Sequence, residues 1–385
     1  MKKLNRIAYV LSHPIQYQSP LLKKLSTSSK FDLHTFYISD HSVKNFYDEE
    51  FGKKIKWNLN ILEGHKFTFL KNFFNKNKIS FFSPIVIDKK IFSILKKYDY
   101  IWFHGYAHHV QLILILLCII FKKKYFLRIE SNLISTKKSF IKNLFIKIIV
   151  RRAFKLLYIG TLNKEYYIEY GATNDQLVFV PYTVDNEYFI SSKKRFKDSQ
   201  IKKLLKLKDN IPIVLFSGKL IDRKQPKRLL EECLKIMRNV NFYLLFLGEG
   251  YLKKSMVEFL KNNKYKNNIR FLGFVNIDKI SSFYSISDIF ILPSMHETFG
   301  LVINEAMIHE NAIISSKLVG SHSDFIKNNF NGFTFNNFDE LRLKLRDLLK
   351  NRKKINSYKK NSFQIIKYWN NDISLKSFEG IFNEQ

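Results

Sequence analysis

The sequence predicts an α/β protein made of two doubly wound, Rossmann-like domains in series. Short runs of β-branched and aromatic residues alternate with longer helical patterns along the whole chain, which is typical of parallel sheets with helices on both faces. The alternation pauses once, in the charged stretch 190–210, and then resumes. A length of 385 residues with 46% hydrophobic residues also fits two cores better than one.

The strand pattern sets the expected domain boundaries. In the first half, strands are predicted at 6–12, 31–39, 100–105, 125–131, 156–160 and 177–182. In the second half, strands are predicted at 211–218, 241–250, 268–274, 288–294, 312–316 and 331–336. We therefore expect a first domain over 1–185, a linker over 186–210, a second domain over 211–365, and a C-terminal helix over 366–385 that packs back on the first domain. Open sheets of this class bind ligands at the carboxyl ends of their strands, so two facing domains would form one cleft.

Composition favours a cytoplasmic chain without membrane-spanning helices. Cys118 and Cys233 lie in separate apolar runs with no disulfide framework or metal-binding spacing, which indicates a reducing compartment. The N-terminal apolar run is interrupted by His13 and Pro14, unlike a signal peptide. The longest apolar run, 112–121, is about half of the roughly 20 residues that a spanning helix needs.

The net charge of +32 favours a polyanionic partner such as nucleic acid, an anionic membrane or a phosphorylated ligand. AT-rich coding sequence, which enriches lysine and asparagine, is the alternative explanation. Between Ser131 and Asn163 no acidic residue occurs, and 137–155 mixes lysines and arginines with large apolar residues. A helix there would be basic and amphipathic, which is typical of a segment on an anionic bilayer, although an ordinary surface helix with one buried face has the same pattern.

Candidate ligand-binding groups follow the predicted strands of the second half. Gly218 ends the predicted strand 211–218 and Lys219 follows it directly, with Lys224 five positions beyond Lys219. Gly248 begins a Gly-Glu-Gly sequence after the next strand, and glycine allows close approach of the backbone to a ligand. Two cations at a strand end suit a diphosphate, although surface lysines are common there.

A third group lies in the stretch SMHETFGLVINEAM, 294–307. Gly300 is expected to open a helix there, with the amides of Phe299, Gly300 and Leu301 available to an anion. Glu297, just before the helix, suits neutral hydroxyls such as those of a sugar. Glu305 lies four residues after Leu301 on the same helix face among apolar neighbours, so it needs a partner. We predict a nucleoside diphosphate sugar site, with a ribose as the partner of Glu305.

The stretch 287–320 closely resembles the donor-site signature of retaining GT-B glycosyltransferases of family 4, part of the glycosyl transferases group 1. Glu297 and Glu305 match the E-x7-E pair, and SGKLIDRK matches GRLxxxK with Lys219 in place of the usual arginine. LGEGYLKK, IRFLGF, the late YWNND region and YGATNDQLVFVPYTVDNEYF are also similar to that family. The resemblance covers most of the chain and implies a GT-B fold. Lysine at 219 keeps the charge but loses bidentate geometry.

The resemblance implies roles for these residues. Lys219 and Lys224 would neutralise the leaving diphosphate, helped by the helix amides, while Glu297 would contact the donor sugar and Glu305 the ribose. The base would lie near the strand carrying Arg270 and Phe271, mostly against backbone. No metal or other cofactor would be required, since the lysines supply the positive charge and the nucleotide sugar is a co-substrate.

The first domain is expected to bind the acceptor. His104, at the end of the strand at 100–105, matches the histidine that faces the donor sugar in the family. His13 and Gln16 follow the first strand, where relatives carry a glycine-rich loop that is absent here; they are either acceptor contacts or part of a capped turn before a helix. Arg128 and Glu130 follow the next strand on one side of it, as an acceptor-binding pair or an internal salt bridge. His108 and His109 are weaker candidates.

The resemblance implies a cytoplasmic retaining hexosyltransferase at the inner face of the plasma membrane. It would act on a lipid-linked precursor of a polysaccharide, capsule or lipopolysaccharide. Three alternatives remain at this point: a glycoside hydrolase that uses Glu297 and Glu305, a sugar-nucleotide 2-epimerase of the same architecture, and a basic nucleic-acid-binding protein. The last has no recognisable module in the sequence, so no nucleic acid is expected as a partner.

Overall fold

The structure is a computed structural model that describes residues 4–43, 46–48, 53–55, 60–73, 80, 83–86, 88–134, 136, 139–193 and 197–383. The chain forms two compact units. The first comprises Met1–Tyr47, Ile55–Thr183 and Asn370–Gln385, and the second comprises Asp48–Lys54 and Val184–Trp369.

The first unit is built on a parallel sheet of seven strands in the order β11-β10-β9-β8-β1-β2-β5. Its strands are β1 (Asn5–Leu11), β2 (Phe31–Tyr37), β5 (Lys66–Phe69), β8 (Tyr100–His104), β9 (Tyr125–Arg128), β10 (Lys155–Tyr158) and β11 (Leu177–Phe179). Four short strands lie outside this sheet and pair two by two: β3 (Phe46–Asp48) with β4 (Lys53–Ile55), and β6 (Asn72–Phe73) with β7 (Ile85–Val86). Parts of β3 and β4 fall in the segment Asp48–Lys54, which belongs to the second unit. The helices are α1 (Ser19–Leu25), α2 (Lys90–Lys97), α3 (His109–Ile120), α4 (Phe140–Arg152), α5 (Thr161–Glu169) and the C-terminal α15 (Asn371–Gly380).

The two faces of this sheet are covered by different helices. Helices α3 and α4 bury Leu114, Cys118, Ile146 and Val150 in one core. The other core takes α1 and α15. A parallel sheet buried on both faces explains why its strands read as almost continuous apolar runs.

The second unit has a parallel sheet of six strands in the order β14-β13-β12-β15-β16-β17. Its strands are β12 (Ile213–Ser217), β13 (Tyr243–Leu247), β14 (Ile269–Gly273), β15 (Ile289–Leu292), β16 (Ala312–Ser316) and β17 (Gly332–Phe335). Its helices are α6 (Asn186–Ser192), α7 (Asp198–Leu204), α8 (Pro226–Met237), α9 (Leu252–Leu260), α10 (Ile277–Ile286), α11 (Val302–Ile308), α12 (His322–Phe325), α13 (Phe338–Leu349) and α14 (Arg352–Ile366). The order reverses between β12 and β15, the kind of switch point at which such sheets bind ligands.

The predicted α/β class and all twelve predicted strands are confirmed. The seventh strand of the first sheet, β5, was not predicted because it has only four residues and two of them are exposed. The stretch 186–210, expected as a linker, carries α6 and α7, and both belong to the second unit. The helix expected near Pro14 or Ile15 begins later, at Ser19.

Candidate functional site

Two glycines let the ends of β12 and β13 meet. The Gly218 amide donates to the Leu247 carbonyl at 2.9 Å. A Cβ placed on Gly248 would lie 1.9 Å from the Gly218 oxygen, far inside van der Waals contact. The glycine at 248 is thus required by contact between two loops of the protein, whatever it does for a ligand.

Three cations lie on the segment between β12 and α8. Lys219 is half-buried, and a single turn of 3-10 helix over Asp222–Lys224 presents Arg223 and Lys224. Gln225 then takes a left-handed conformation with φ of 55°, and Pro226 starts α8. Proline at the first helical position is favourable because it has no amide hydrogen to leave unpaired.

Glu297 follows β15 and joins this cationic turn. Its amide donates to the Leu318 carbonyl at 3.2 Å, and its carbonyl accepts from the Gly320 amide at 2.9 Å, so its backbone is held on both sides. Its carboxylate forms an ion pair with Lys224, and the Arg223 guanidinium lies 3.6 Å from the same oxygen. The side chains of Lys224 and Glu297 are only 12% and 17% exposed.

Burial lowers the pKa of Lys224 below its usual value, even though the carboxylate of Glu297 opposes this shift. The positive charges of Arg223 and Lys219 lower it further. The positive charge of all three cations is therefore concentrated around the partly buried Lys224 ammonium. The single carboxylate of Glu297 does not compensate for the loss of water around Lys224. A ligand with more negative charge would suit this place better.

The stretch from Phe299 to Leu301 leads into α11, which begins at Val302. Gly300 has φ of +98°, and a Cβ there would lie 2.9 Å from Val319, so glycine is needed for both its conformation and its size. The Phe299 carbonyl accepts from the Ser321 amide at 2.9 Å, and its ring is buried against Phe325. The sequence predicts that Gly300 opens this helix, and the helix begins slightly later, at Val302.

Glu305 has a partner within the protein. Its side chain is buried, with 3% of the residue exposed, and it accepts a hydrogen bond of 2.9 Å from the Tyr284 hydroxyl. The backbone carbonyl of Glu305 contacts His309 Nδ1 at 2.7 Å. The predicted need for a partner is thus met, at least in part, by a tyrosine on α10.

Arg270 and Phe271 are not brought to the carboxyl edge of the sheet. The Arg270 guanidinium donates to the carbonyls of Leu205, Asn267 and Ile269 near the amino end of β14, at 3.2, 2.7 and 3.0 Å. The Phe271 ring stacks on Phe246, with ring centroids 5.1 Å apart, and packs against the core. Both residues support β14 rather than present side chains beside Glu297.

In the first unit, His104 is held between two side chains at the carboxyl end of β8. The Tyr9 hydroxyl lies 2.7 Å from Nδ1, and Glu130 lies 3.0 Å from Nε2. Gln18 also donates to Glu130, at 3.4 Å. Burial raises the pKa of Glu130, but the charge and hydrogen bond of His104 and the charge of Arg128 outweigh it, so the pKa of Glu130 is lowered. Both ring nitrogens of His104 are thus engaged within the unit.

Arg128 is fully buried at the end of β9. Its guanidinium lies 5.4 Å from the centre of the Tyr182 ring, a cation–π contact. Its three guanidinium nitrogens have no hydrogen-bond partner within the described part of the chain. Arg128 and Glu130 were predicted as an acceptor-binding pair or an internal salt bridge. Glu130 is the more accessible of the two residues, with 26% of its side chain exposed.

The other candidates of the first unit lie nearby or have structural roles. His13 is half-buried, with Ser12 Oγ 2.9 Å from Nδ1 and the His41 ring 5.5 Å away. Burial and the charges of His41 and His104 lower its pKa to about 4. Gln16 is buried. His108 caps α3 by accepting from Val110, and burial lowers its pKa to about 4; His109 packs against its ring.

Sequence reasoning missed Arg223, Tyr284 and Tyr9. Arg223 stands beside Lys224 in the sequence GKLIDRK, so adjacency to a predicted cation was an available signal. The two tyrosines reach their partners over 21 and 95 positions, and no local pattern indicates such contacts.

Clusters of metal ligands and membrane-spanning helices are both absent from the described residues. Among these residues, no group of three or more histidine, cysteine, aspartate or glutamate side chains is arranged to hold a metal ion. Within the same ranges, no helix combines the length and apolarity needed to cross a membrane.

Comparison with solved structures places the fold in the GT-B class. The Anabaena HepE protein in complex with UDP is 14% identical and matches with a TM-score of 0.73 over 100% of both chains. A glycosyltransferase from Rickettsia africae is 16% identical, with a TM-score of 0.74 over 99% of this chain and 98% of that one. The predicted two-domain α/β fold of GT-B type is confirmed.

Sequence comparison finds similarity mainly in the second unit. Residues 197–365, somewhat less than half of the chain, match the family described as glycosyl transferases group 1. A curated glycosyltransferase of uncharacterised function from Methanocaldococcus jannaschii is 30% identical over 33% of this chain and 32% of its own length. A glycogen synthase of Pseudothermotoga lettingae is 28% identical over 48% of this chain and 38% of its own. The chain thus matches about a third of the length of these curated relatives.

Proposed function

We propose that this protein is a glycosyltransferase that takes its sugar from a nucleoside diphosphate donor. The observation that carries the proposal is the meeting of Arg223 and Lys224 with Glu297 at the carboxyl ends of β12 and β15, with the charge of Lys219 acting on Lys224, within the residues that match the glycosyl transferases group 1 family. The UDP bound to the HepE protein of similar fold supports a nucleotide as ligand.

The cations are assigned to the diphosphate and the carboxylate to the sugar. As the glycosidic bond breaks, negative charge develops on the leaving phosphate, and fixed positive groups in a partly buried place stabilise that charge strongly. The segment Phe299–Leu301 adds backbone amides there, Gly218 and Gly248 shape the adjoining backbone, and Glu297 accepts hydrogen bonds from sugar hydroxyls. Glu305, already bonded to Tyr284, is assigned to the ribose. No metal or further cofactor is required because lysine and arginine supply the positive charge.

The stereochemistry and the acceptor follow from the resemblance to family 4. We assign transfer with retention, in which the leaving phosphate assists the incoming hydroxyl on the same face of the sugar. The acceptor is a cell-surface glycan precursor of polysaccharide, capsule or lipopolysaccharide type on a lipid carrier, bound by His13, Gln16, Arg128 and Glu130, with His104 facing the donor sugar. The reaction takes place in the cytoplasm, at the inner face of the plasma membrane.

The exposed surface of α4 supports both membrane contact and a lipid-linked acceptor. Four large apolar side chains of α4 are exposed: Phe140, Ile141, Leu144 and Ile148. The basic residues Lys142, Lys147, Arg151 and Arg152 are exposed on the same helix. Such a surface suits the headgroup region of an anionic bilayer. Lys137 and Lys138, at the start of the predicted basic segment, lie outside the described residues.

The hydrolase alternative has less support. A hydrolase needs two carboxylates that reach one sugar and water, whereas Glu305 is 3% exposed and bonded to Tyr284. A hydrolase also leaves the three cations beside Glu297 without a role.

Two single substitutions test the transfer. Lys224→Ala and Glu297→Ala should each abolish transfer from nucleotide sugars, measured as nucleoside diphosphate release in the presence of acceptor. The exposed residues Lys227→Ala and Glu258→Ala are matched controls that should keep activity. Near-wild-type transfer in both site variants would refute the assignment.

A ligand screen identifies the donor. Thermal unfolding is measured with UDP, GDP, ADP and their glucose or mannose conjugates, because a ligand that binds the folded state raises the melting temperature according to its occupancy. One base should stand out. The absence of any shift with all three bases would contradict a nucleotide-sugar site.

A further inference from the structure

The Lys224–Glu297 ion pair joins two groups that the proposed function assigns to different parts of the donor. Lys224 is assigned to the diphosphate and Glu297 to the sugar, yet the ammonium and carboxylate are bonded to each other and largely shielded from water. A donor therefore meets two groups that are already paired with each other.

The backbone around this pair is fixed, so a change of partners requires side chains to move. The Met295 amide donates to the Arg223 carbonyl at 2.8 Å, and the Arg223 guanidinium donates to the His296 carbonyl at 3.1 Å. These bonds fasten the cationic turn to the loop that carries Glu297. The long lysine stem can turn its ammonium toward a neighbouring anion without moving that frame.

Separation of the pair stabilises one member and destabilises the other. Lys224 gains from a diphosphate, which carries more negative charge than one carboxylate. Among the contacts of the described residues, Glu297 then keeps Arg223, at 3.6 Å and with a side chain 39% exposed, and such exposed contacts contribute little. A partly buried carboxylate that loses its main partner is destabilised, unless hydroxyl donors replace that partner.

We propose that the Lys224–Glu297 pair distinguishes the intact donor from the nucleoside diphosphate product, an inference that rests on the proposed function. The intact donor satisfies both residues, with its phosphates on Lys224 and its sugar hydroxyls on Glu297. The product satisfies only Lys224 and leaves Glu297 without its partner. Re-formation of the ion pair then favours release of the product after transfer.

The substitution Glu297→Gln tests this inference through binding alone. Calorimetric titration compares UDP with UDP-glucose; GDP with GDP-mannose, and ADP with ADP-glucose, serve if the screen selects another base. In Glu297→Gln, the affinity for the diphosphate should rise about tenfold, equivalent to about 1.4 kcal/mol, because no ion pair has to be broken. The ratio of the affinity for the sugar conjugate to the affinity for the diphosphate should therefore fall, mainly because the affinity for the diphosphate rises. Glu297→Ala should change diphosphate affinity in the same direction.

Asp222→Asn is the matched control. It removes one negative charge from the same turn, where Asp222 accepts from the Tyr251 hydroxyl at 2.7 Å and has no bond to Lys224 among the described contacts. Its diphosphate affinity should stay within about twofold of the wild type, since exposed charges are well screened. Melting temperatures of all variants confirm that they fold.

Several outcomes would overturn the inference. If Glu297→Gln weakens binding of the sugar conjugate and leaves diphosphate affinity unchanged, Glu297 is only a sugar contact. If Asp222→Asn tightens diphosphate binding as much as Glu297→Gln, overall charge explains the effect. If the wild-type chain binds none of the six ligands, the proposed function itself fails, and the inference fails with it.

Discussion

The hydrogen bond from Tyr284 to Glu305 connects α10 with α11 inside the second unit. Tyr284 is fully buried, and its ring stacks on His309 with centroids 5.5 Å apart. A buried carboxylate is stable only while donors surround it. Tyr284 therefore stabilises Glu305 whether or not a ribose reaches it.

Loss of this hydroxyl should destabilise the second unit. We expect Tyr284→Phe to lower the free energy of unfolding by about 1–3 kcal/mol, the range for a buried polar group that loses its partner. The measurement is urea denaturation at neutral pH. The control Tyr251→Phe removes a hydroxyl that donates to Asp222 at the surface and should change stability by less than about 0.5 kcal/mol. Equal effects of the two substitutions would show that the hydrogen bond to Glu305 contributes no more to stability than the surface hydrogen bond to Asp222.

The same residue shows how far sequence reasoning reaches. A glutamate among Leu301, Val302, Ile303 and Ala306 predicts by itself that some donor must satisfy its carboxylate, and the structure confirms such a donor. The identity of that donor depends on how α10 packs against α11, which involves residues 21 positions apart. For the same reason the Lys224–Glu297 pair, 73 positions apart, was not predicted although both residues were selected.

Strands were predictable where burial on both faces gives an apolar run, as in the fully buried β12, β13 and β16. Strand β5, at the edge of its sheet, lacks that run.

Helix α4 was also predicted from the sequence. Its basic, apolar composition predicted an amphipathic helix, and the structure shows that Ile146, Ile149 and Val150 are buried while Phe140 and Ile141 are 85% and 80% exposed.

The exposed residues of α4 should contribute to membrane binding. We expect the double substitution Phe140→Ser and Ile141→Ser to weaken partition to vesicles of phosphatidylglycerol and phosphatidylcholine by about tenfold or more, because each large apolar side chain contributes about 1.5–3 kcal/mol on burial. Co-sedimentation with vesicles measures the partition. The double substitution Val257→Ser and Phe259→Ser, which removes two apolar side chains exposed on α9, is the control. An equal loss in the control, or no loss in the α4 variant, would exclude α4 as the contact.

At the scale of the whole molecule, the chain leaves the first unit after Thr183 and returns to it at Asn370. The returning segment forms α15, whose Phe378 is fully buried. The Phe378 ring stacks on Trp102 with centroids 4.7 Å apart and meets the edges of Phe31 and Phe126 at 5.1 and 5.2 Å. The core of the first unit therefore includes residues from both ends of the described chain.

Truncation of Phe378 should weaken the first unit strongly. We expect Phe378→Ala to lower the free energy of opening by about 3–5 kcal/mol, because a buried ring is removed and a cavity remains among aromatic neighbours. Hydrogen exchange of the backbone amides of β8 and β9 measures this locally, since core strands report the largest opening energies. The control Tyr368→Ala removes an aromatic ring that is 68% exposed and should leave this protection within about 0.5 kcal/mol. Unchanged protection of β8 in Phe378→Ala would show that α15 is dispensable for this core, and its contacts with Trp102 would then carry little of the stability of the unit.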